Sequence, residues 1–351
     1  MDTATLLELP VDVRSVRLRQ LEQETSSGFK RVTTVIECRG GGMSGFGEDV
    51  TYDTDEHDGL VGWTPTLSLP FEGTIGEFSR YLDDVELFRR PPSRPVFRHY
   101  RRWGFESAAL DLALRQAMSN LSRLIERSYQ PVRYVVSTSL GDPPSIDRLE
   151  ALLEVYPDLE FKLDPSPEWD RDLIEQIASL DAVRILDCKA VYEGTDFGHE
   201  PDAALYERLL EAFPDAVIED PGIDDETRHL FEGRGERIAW DAPMTSLEAV
   251  RDRPLESGWV NIKPSRFGRI ETVLDVISHC EEHDISLYGG GQFELGIGRE
   301  QIQALASVCY PEGPNDVAPG GFNSPFVIEG IETSPLTPPT DVHGFGFSEA
   351  E

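Results

Sequence analysis

The sequence predicts an α/β protein in which a parallel barrel follows a smaller α+β domain, and two observations lead to this class. From about Arg133 onward, short apolar strands alternate with helical stretches in seven βα-like units. Ahead of them, segments with the period-two alternation of paired strands lead into a long amphipathic helix. An open doubly wound sheet is the competing arrangement, but no GxGxxG motif follows the first strand. A barrel is therefore the prediction.

The first domain is expected to contain three strands and one long helix. The alternating segments VRSVRLRQL and FKRVTTVIECRG are predicted to pair as strands, with GFGEDVTY as a third. The chain then breaks at residues 91–95, PPSRP. Beyond the break, the spacing of Leu110, Leu114 and Met118 along one apolar face predicts a single helix over residues 104–129.

The barrel strands are predicted at short apolar runs that mostly end in a polar residue. They are RYVVSTS, LEFKLD, AVRILDC, AVIED, RIAWD, WVNIK and ISLYGG. The helices between them include SIDRLEALLEVY, DRDLIEQIASL, DAALYERLLEAF and RIETVLDVISHCEEH. We expect a first domain over 1–130, a barrel over 131–325, and a segment 326–351 that packs back on the first domain and ends in a loose tail.

The charge of the chain limits its partners. Of 351 residues, 65 are acidic and 32 are basic, which gives a formal net charge of −33. Such an excess argues against unaided binding to nucleic acids or anionic membranes. It is typical of the acidic surfaces of halophilic proteins, because concentrated salt screens the repulsion between like charges.

The cysteines and the N-terminal stretch predict a cytoplasmic protein. Four scattered cysteines form no CxxC pair and no disulfide framework, which favours a reducing compartment. The stretch MDTATLLELP lacks the basic start and apolar run of a signal peptide. No segment approaches the length of a membrane-spanning helix.

Acidic residues recur at the ends of successive predicted strands. Asp187 ends VRILD, Glu219 ends AVIE and Asp241 ends RIAWD, at intervals of roughly 20 to 30 residues, the length of one βα unit. Taken singly, each acid is more simply interpreted as a helix cap or an exposed strand end. Three acids at the same position of consecutive strands favour one shared site, because barrel active sites lie at the C-terminal ends of the strands.

Three carboxylates without a neighbouring His or Cys ligand favour a hard cation. We expect Asp187, Glu219 and Asp241 to hold Mg²⁺, with Mn²⁺ as the alternative ion, and water and substrate oxygens to complete the coordination. Zn²⁺ would require nitrogen or sulfur ligands. The expected substrate is a small carboxylate, because a metal ion that holds the carboxylate would stabilise the enolate formed when the α-proton leaves.

Two lysines flank the three acidic strands. Lys162 lies on the strand before them and Lys263 ends WVNIK on the strand after them. A nearby divalent cation destabilises the ammonium form of lysine, which lowers the lysine pKa and suits a general base. A surface lysine is the simpler alternative for Lys263, but its place on a barrel strand disfavours that interpretation.

These motifs resemble those of the enolase superfamily, in the branch that contains mandelate racemase and muconate lactonizing enzyme. The similarity is greatest to o-succinylbenzoate synthase and N-acylamino acid racemase members. It spans nearly the whole chain and is carried by GFGED, GFESAALDLAL, ILDCK, VIEDP, IAWDAPM, VNIKPSRFGRI and GGGQFELGIGR. The resemblance implies an (α/β)₇β modified TIM barrel with an α+β capping domain, Mg²⁺, and proton abstraction beside a carboxylate. It also implies that Asp187, Glu219 and Asp241 are metal ligands and that Lys263 is the base or acid.

The second barrel strand departs from the family pattern. The family has Lys-x-Lys there, and its second lysine transfers the proton. In this chain Lys162 matches the accessory lysine, whereas Asp164 stands in place of the catalytic one. Lys189, two residues past Asp187 on the same strand face, is a candidate replacement that Asp164 would orient. The alternative is that Asp164 pairs with a lysine only as structural support.

Residues near the seventh strand and the cap are predicted to contact substrate. Gly290 and Gly291 would bring backbone close to it, with Glu294 and Arg266 as further substrate-binding candidates, although Arg266 could instead pair with an acid. The loop QETSSGF, residues 23–29, is either a simple hairpin loop or the specificity loop that relatives carry over the site. No His on a late barrel strand offers a His-Asp dyad, which favours the muconate lactonizing and succinylbenzoate side of the branch.

The predicted function is a carbon–oxygen lyase or isomerase. A syn elimination, as in o-succinylbenzoate synthase or an acid-sugar dehydratase, needs one base and so tolerates Asp164 best. A muconate-lactonizing cycloisomerase or a racemase is the alternative reaction. An inactive metal-binding barrel with a structural or regulatory role is the alternative of another class. We also expect a homo-oligomer.

Overall fold

The computed structural model describes residues 3–62, 67–190 and 198–348. In this part of the chain, the strands form a three-stranded antiparallel sheet, a two-stranded antiparallel sheet and a seven-stranded parallel sheet. The parallel sheet and the separate antiparallel cap confirm the predicted fold class.

The N-terminal elements build the cap. Its strands are β1 (Pro10–Val13), β2 (Ser15–Glu24), β3 (Lys30–Gly40), β4 (Met43–Asp49) and β5 (Phe71–Thr74). Its helices are α1 (Thr3–Leu7), α2 (Thr54–Gly62), α3 (Ile75–Asp83), α4 (Phe97–Gln116) and α5 (Leu121–Leu124). Strand β3 pairs with β2 on one side and β4 on the other, and β1 pairs with β5. The three predicted cap strands therefore correspond to β2, β3 and β4.

The two glycines of the GFG motif allow helix α4 to approach β4 closely. A Cβ atom on Gly45 would lie 2.1 Å from the backbone nitrogen of Leu112. A Cβ atom on Gly47 would lie 2.1 Å from the carbonyl oxygen of Gly104. Any side chain there would separate the helix from the sheet, so these positions require glycine.

The predicted helix over residues 104–129 is wrong at both ends. Helix α4 begins seven residues earlier, at Phe97, and ends at Gln116. It ends because Met118 takes a left-handed conformation with φ of 50°. The side chain of Asn120 then accepts a hydrogen bond from the Arg123 N–H and starts the separate helix α5.

Seven parallel strands form the barrel sheet. They are β6 (Val136–Thr138), β7 (Phe161–Leu163), β8 (Val183–Asp187), β9 (Val217–Glu219), β10 (Ile238–Trp240), β11 (Trp259–Ile262) and β12 (Ser286–Gly289). They lie side by side in chain order, so each strand is adjacent in space to the next one in sequence. All seven coincide with predicted strands.

A further short extended segment closes the sheet into a barrel. Asn315 forms a parallel bridge with Tyr134, just before β6, and Asp316 forms one with Gly290, just after β12. The Val135 N–H donates to the Asn315 carbonyl at 2.8 Å, and the Asp316 N–H donates to the Gly289 carbonyl at 2.8 Å. Residues 315–316 thus supply the final β of the (α/β)₇β arrangement.

Helices surround the sheet. They are α6 (Asp147–Val155), α7 (Arg171–Ser179), α8 (Ala203–Ala212), α9 (Arg228–Phe231), α10 (Leu247–Arg251), α11 (Pro264–Phe267), α12 (Ile270–Glu282) and α13 (Ile297–Cys309), with 3₁₀ turns at Gly235–Arg237 and Gly320–Asn323. Three of these helices have side-chain N-caps. The side chains of Asp170, Asp202 and Ser246 accept hydrogen bonds from backbone N–H groups in the first turns of α7, α8 and α10. Across the described residues, no helix combines the length and apolar character needed to cross a membrane.

Buried polar contacts join the cap to the barrel. Glu48, at the end of β4, accepts hydrogen bonds from the backbone N–H groups of Leu295, Gly296 and Gly298 at the start of α13. A carboxylate is favoured there because the first N–H groups of a helix lack intrahelical partners. Arg31 of β3 donates to the carbonyl oxygens of Gln292 and Phe293. The cap therefore fixes the chain that follows β12.

The C-terminal segment also returns to the cap. The Phe345 N–H donates to Asp111 Oδ1 of α4 at 2.7 Å, and the Phe345 ring packs edge-on against Trp103 with centroids 6.0 Å apart. The Gly344 N–H donates to the Ser119 carbonyl. The last three residues of the predicted loose tail, 349–351, lie outside the described residues.

Candidate active site

The three predicted metal ligands lie at the C-terminal ends of adjacent strands. Asp187 ends β8, Glu219 ends β9, and Asp241 directly follows β10. Asp187 and Glu219 are register partners, and the three residues are 5%, 0% and 1% exposed. Three carboxylates this deeply buried need positive partners, because an uncompensated charge in the interior is costly.

Those partners are the flanking lysines and one arginine. Lys162 Nζ lies 2.7 Å from Glu219 Oε1 and 3.4 Å from Asp187 Oδ2. Lys263 Nζ lies 2.8 Å from Asp241 Oδ2, and Arg266 Nη1 lies 2.7 Å from Asp241 Oδ1. The lysines approach the carboxylates from opposite sides, since β7 and β11 flank the three acidic strands.

The charges of this cluster shift its pKa values in opposite directions. Burial raises the pKa of Glu219, and the neighbouring Asp187 and Asp241 add to this, although Lys162 opposes them. Burial also acts to raise the pKa of Asp241, but Arg266 and Lys263 outweigh it and hold that pKa well below its usual range. For Lys263, burial lowers the pKa, yet the combined charges of the neighbouring carboxylates, chiefly Asp241 and then Glu219, outweigh burial and the net pKa is raised. In this arrangement Lys263 is an ammonium group at neutral pH.

The donor set suits a divalent cation, although lysine and arginine now bond to the carboxylates. Among the described residues, no group of three His, Cys, Asp or Glu side chains is arranged to hold a metal ion. Nevertheless, Asp187, Glu219 and Asp241 present only carboxylate oxygens on three adjacent strands, which are the ligands that Mg²⁺ and Mn²⁺ prefer. The two lysines nearest to these carboxylates, Lys162 and Lys263, approach through flexible four-carbon side chains.

Asp164 and Lys189 form an ion pair beside the cluster. Lys189 Nζ lies 2.5 Å from Asp164 Oδ2. The Lys189 and Asp164 side chains are 26% and 28% exposed, so the pair lies at the rim of the site. The second oxygen of Asp164 has no hydrogen-bond partner within the described ranges. The Lys189 ammonium thus contacts Asp164, whereas Lys162 contacts the predicted metal ligands directly.

Two interior residues that the sequence analysis missed contact Glu219. The Tyr288 hydroxyl donates to Glu219 Oε2 at 2.7 Å, and Asn261 Nδ2 lies 3.4 Å from Glu219 Oε1. Asn261 precedes Lys263 by two residues and Tyr288 precedes Gly290 by two. The period-two alternation of a strand therefore places each on the same face as a predicted site residue, and this signal was available in the sequence.

A third missed residue holds the backbone of Asp241, one of the predicted metal ligands. Asp220 is fully buried and accepts hydrogen bonds from the N–H groups of Asp241 and Ala242, both at 2.9 Å. Asp220, Lys189 and Phe293 all have positive φ values, of 45°, 50° and 55°. Non-glycine residues rarely adopt this conformation, and such strain clusters at functional sites.

The four predicted substrate-binding residues have different neighbours. A Cβ atom on Gly290 would lie 2.7 Å from Lys263 Cε, so this backbone borders Lys263. A Cβ atom on Gly291 would lie 2.2 Å from Glu294 Oε2, an oxygen that has no hydrogen-bond partner in the described part of the chain. Arg266 pairs with Asp241, as the alternative interpretation of that residue predicted.

A small cavity of about 30 Å³ adjoins the carboxylate cluster. Its lining includes Ser137, Phe293, Arg299, Asp316 and Phe322, and Asp316 Oδ2 lies 3.7 Å from Lys162 Nζ. The predicted loop 23–29 borders it, because the Ser26 N–H donates to the Asn323 carbonyl and the Phe29 ring packs against Phe293 at 5.4 Å. This loop therefore contacts the wall of the site, which favours the specificity-loop interpretation.

A larger cavity of about 600 Å³ lies at the other end of the barrel. It is lined by residues that precede β10, β11 and β12, among them Glu236, Arg253, Ser257, His279 and His283. Barrel chemistry takes place at the C-terminal ends of the strands, where the carboxylates lie. We therefore assign the candidate active site to the carboxylate cluster despite the larger volume elsewhere.

Solved structures share this fold, and one of them, from Listeria innocua, is described as a member of the enolase superfamily; it has a TM-score of 0.64 at 19% identity, covering 89% of this chain and 86% of its own. The chain belongs to the family described as domain of unknown function DUF8230, whose C-terminal domain matches residues 128–324 and whose N-terminal domain matches residues 4–124.

Two named relatives match most of the chain. An o-succinylbenzoate synthase from Bacillus subtilis is 25% identical over 339 residues, covering 88% of this chain and 85% of its own length. An N-succinylamino acid racemase from Thermus thermophilus is 27% identical over 335 residues, covering 89% of this chain and 84% of its own length. Both are named enzymes, which confirms the prediction of an enzyme of the lyase or isomerase class.

A solved structure supports the fold. The dipeptide epimerase from Methylococcus capsulatus, complexed with Mg and the dipeptide L-Arg-D-Lys, has a TM-score of 0.70 at 17% identity. The similarity covers 96% of this chain and 99% of the epimerase. At this identity the comparison establishes the shared fold.

Proposed function

We propose that the protein is a divalent-metal-dependent carbon–oxygen lyase that removes the proton α to a carboxylate of a small substrate. The observation that carries this proposal is the buried trio Asp187, Glu219 and Asp241, flanked on opposite sides by Lys162 and Lys263. An anionic site with lysines on both sides suits a cation, a substrate carboxylate and a proton acceptor together.

The three carboxylates would hold Mg²⁺, with Mn²⁺ as the alternative ion. Support comes from their oxygen-only donor set and from the Mg ion named in the related epimerase structure. When bound, the cation would stabilise the enolate of the substrate carboxylate, and its charge would lower the pKa of Lys263.

Lys263 would move the proton. In its neutral form, the Nζ atom takes the α-proton as the carbon–hydrogen electron pair forms the enolate. The resulting ammonium then gives the same proton to the leaving hydroxyl group, and the carbon–oxygen bond breaks to release water. One lysine thus completes a syn elimination, and atoms and charge balance. Burial lowers the pKa of Lys162, but the neighbouring carboxylates, led by Glu219 and Asp187, together outweigh burial and raise it, so Lys162 would keep its proton and contribute positive charge beside the substrate.

The Asp164–Lys189 pair is the reason for preferring a lyase. Racemisation requires a second group that delivers a proton to the opposite face of the same carbon. The position where the family has its second-strand catalytic lysine holds Asp164, whose carboxylate lies 2.5 Å from Lys189 Nζ. A single-base elimination needs nothing from this position.

A racemase or cycloisomerase is the second candidate. One observation favours it: the ion pair brings an amine to the rim on the side opposite Lys263, at the end of β7. The similarity to a protein named N-succinylamino acid racemase supports the same candidate. In that case Asp164 would orient Lys189 as the replacement for the missing lysine.

The test is hydrogen exchange in D₂O. The protein is incubated with Mg²⁺ and a panel of carboxylates that includes N-succinylamino acids, β-hydroxy carboxylates and acid sugars, and products and α-deuterium are followed by NMR. We expect Mg²⁺-dependent exchange or elimination that a Lys263→Ala variant loses by about 10²-fold or more. If Mg²⁺ binds but no carboxylate of a broad panel exchanges, the result favours the inactive-barrel alternative over the proposed lyase.

The domain division is a related proposal. We propose a capping domain over 1–130, a barrel over 131–325 and a C-terminal segment over 326–351 that packs on the cap. The matches to the two parts of the family, over 4–124 and 128–324, support it. We also propose that the protein is a homo-oligomer and acts in the cytoplasm.

A further inference from the structure

Both oxygens of Glu219 are held by side chains from inside the barrel. Oε1 accepts from Lys162 Nζ at 2.7 Å and faces Asn261 Nδ2 at 3.4 Å. Oε2 accepts from the Tyr288 hydroxyl at 2.7 Å. Lys162 Nζ also approaches Asp187, so Oε1 faces the space shared with the other carboxylates. Oε2 is the oxygen that Tyr288 holds.

The Tyr288 ring has little freedom to move. It is fully buried and packs in the barrel interior with the apolar side chains of Val135, Ile185, Val217 and Ala239. Its edge meets the Trp259 ring, with centroids 6.2 Å apart. Since the other members of this cluster are apolar, the hydroxyl of Tyr288 is a fixed donor that points out of an otherwise apolar interior toward Glu219.

We propose that Tyr288 is a positioning residue for Glu219, which it orients for divalent-cation binding through the hydrogen bond to Oε2. The inference rests on the proposed function, because it takes Glu219 as a metal ligand. A ligand held by a second hydrogen bond loses less rotational freedom when a cation binds, and such outer partners typically change metal affinity by about 10- to 100-fold.

The experiment measures Mn²⁺ affinity without any substrate. Full-length wild type and Tyr288→Phe are titrated with Mn²⁺, and free Mn²⁺ is measured by electron paramagnetic resonance. We expect the substitution to weaken binding about 10- to 100-fold. The matched control is Tyr310→Phe, because Tyr310 is 6% exposed and its hydroxyl has no hydrogen-bond partner in the described ranges. This control should bind Mn²⁺ like wild type.

Two further readouts separate positioning from a structural role. Circular dichroism melts of the metal-free proteins report stability, and a merely structural tyrosine would lower the melting temperature while the folded protein kept its Mn²⁺ affinity. In a Glu219→Gln background, Tyr288→Phe should cause no further loss of affinity, because its effect acts through Glu219.

The outcomes distinguish this inference from the proposed function. If wild type binds Mn²⁺ and folded Tyr288→Phe binds it within about twofold of wild type, Tyr288 is not a positioning residue, while the proposed function stands. If wild type binds no divalent cation, the proposed function falls and this inference falls with it.

Discussion

At the scale of single residues, Asp164 stands where the family resemblance implies a catalytic lysine. A carboxylate there would repel the enolate of a substrate unless a cation neutralised it, and Lys189 supplies that cation at 2.5 Å. The pair therefore keeps the site electrostatically compatible with an anionic substrate. The Lys189 ammonium that provides this neutralisation is bonded to Asp164 at the rim of the site.

This arrangement predicts unequal effects for two lysine substitutions. Lys189→Met should leave Mg²⁺-dependent exchange within about tenfold of wild type, because the amine only neutralises Asp164. Lys263→Ala should lower it by about 10²- to 10⁴-fold, the range expected for loss of a general base. Initial rates of α-deuterium incorporation measure both. Equal losses in the two variants would mean that Lys189 transfers protons, which favours the racemase alternative.

At the scale of elements, a charged triad joins the N-terminal ends of three barrel strands. Arg133, just before β6, forms two hydrogen bonds with Glu160, just before β7, and Arg184 of β8 donates a third. Burial raises the pKa of Glu160, but the hydrogen bonds and charges of the two arginines outweigh it and hold that pKa below its usual range. The triad lies at the end of the barrel opposite the site.

The lowered pKa of Glu160 predicts a pH-dependent contribution to stability. A carboxyl with a lowered folded-state pKa stabilises the fold above its unfolded-state pKa of about 4.3, and this contribution is lost as pH falls through the folded-state value. Glu160→Gln should therefore lower the free energy of unfolding by about 1 kcal/mol at neutral pH. The difference should shrink below about pH 4. Urea unfolding measures it, with the exposed Glu154→Gln as control, and a difference independent of pH would contradict the assignment.

The barrel strands and the segment that closes the barrel differ in how well the sequence predicts them. The seven barrel strands were predictable because short apolar runs between amphipathic helical stretches are typical of buried parallel strands. The closing segment 315–316 was not, because two residues, Asn and Asp, carry no periodicity and depend on pairing with Tyr134 and Gly290. Strand alternation places Tyr288 on the same face as Gly290, but it does not show which residue of another strand the hydroxyl contacts, so the hydrogen bond to Glu219 could not be predicted.

At the scale of the whole molecule, the net charge of −33 should make stability depend on salt. The Debye length falls from about 10 Å at 0.1 M to about 3 Å at 1 M, so added salt screens the repulsion among surface carboxylates. We expect the urea midpoint to rise between about 0.1 M and 1 M KCl. Sucrose, which carries no charge, serves as the control for solvent exclusion. A midpoint that does not change with KCl would contradict the halophilic prediction.

The central claim is that one lysine, Lys263, transfers the α-proton at the carboxylate cluster. The stereochemical course of exchange tests it most directly. A single enantiomer of an N-succinylamino acid is incubated with the protein and Mg²⁺ in D₂O, and α-deuterium and optical purity are measured together. We predict deuterium incorporation with retained configuration in wild type and none in Lys263→Ala. Deuterium incorporation with loss of optical purity, or unchanged exchange in the Lys263→Ala variant, would contradict the account.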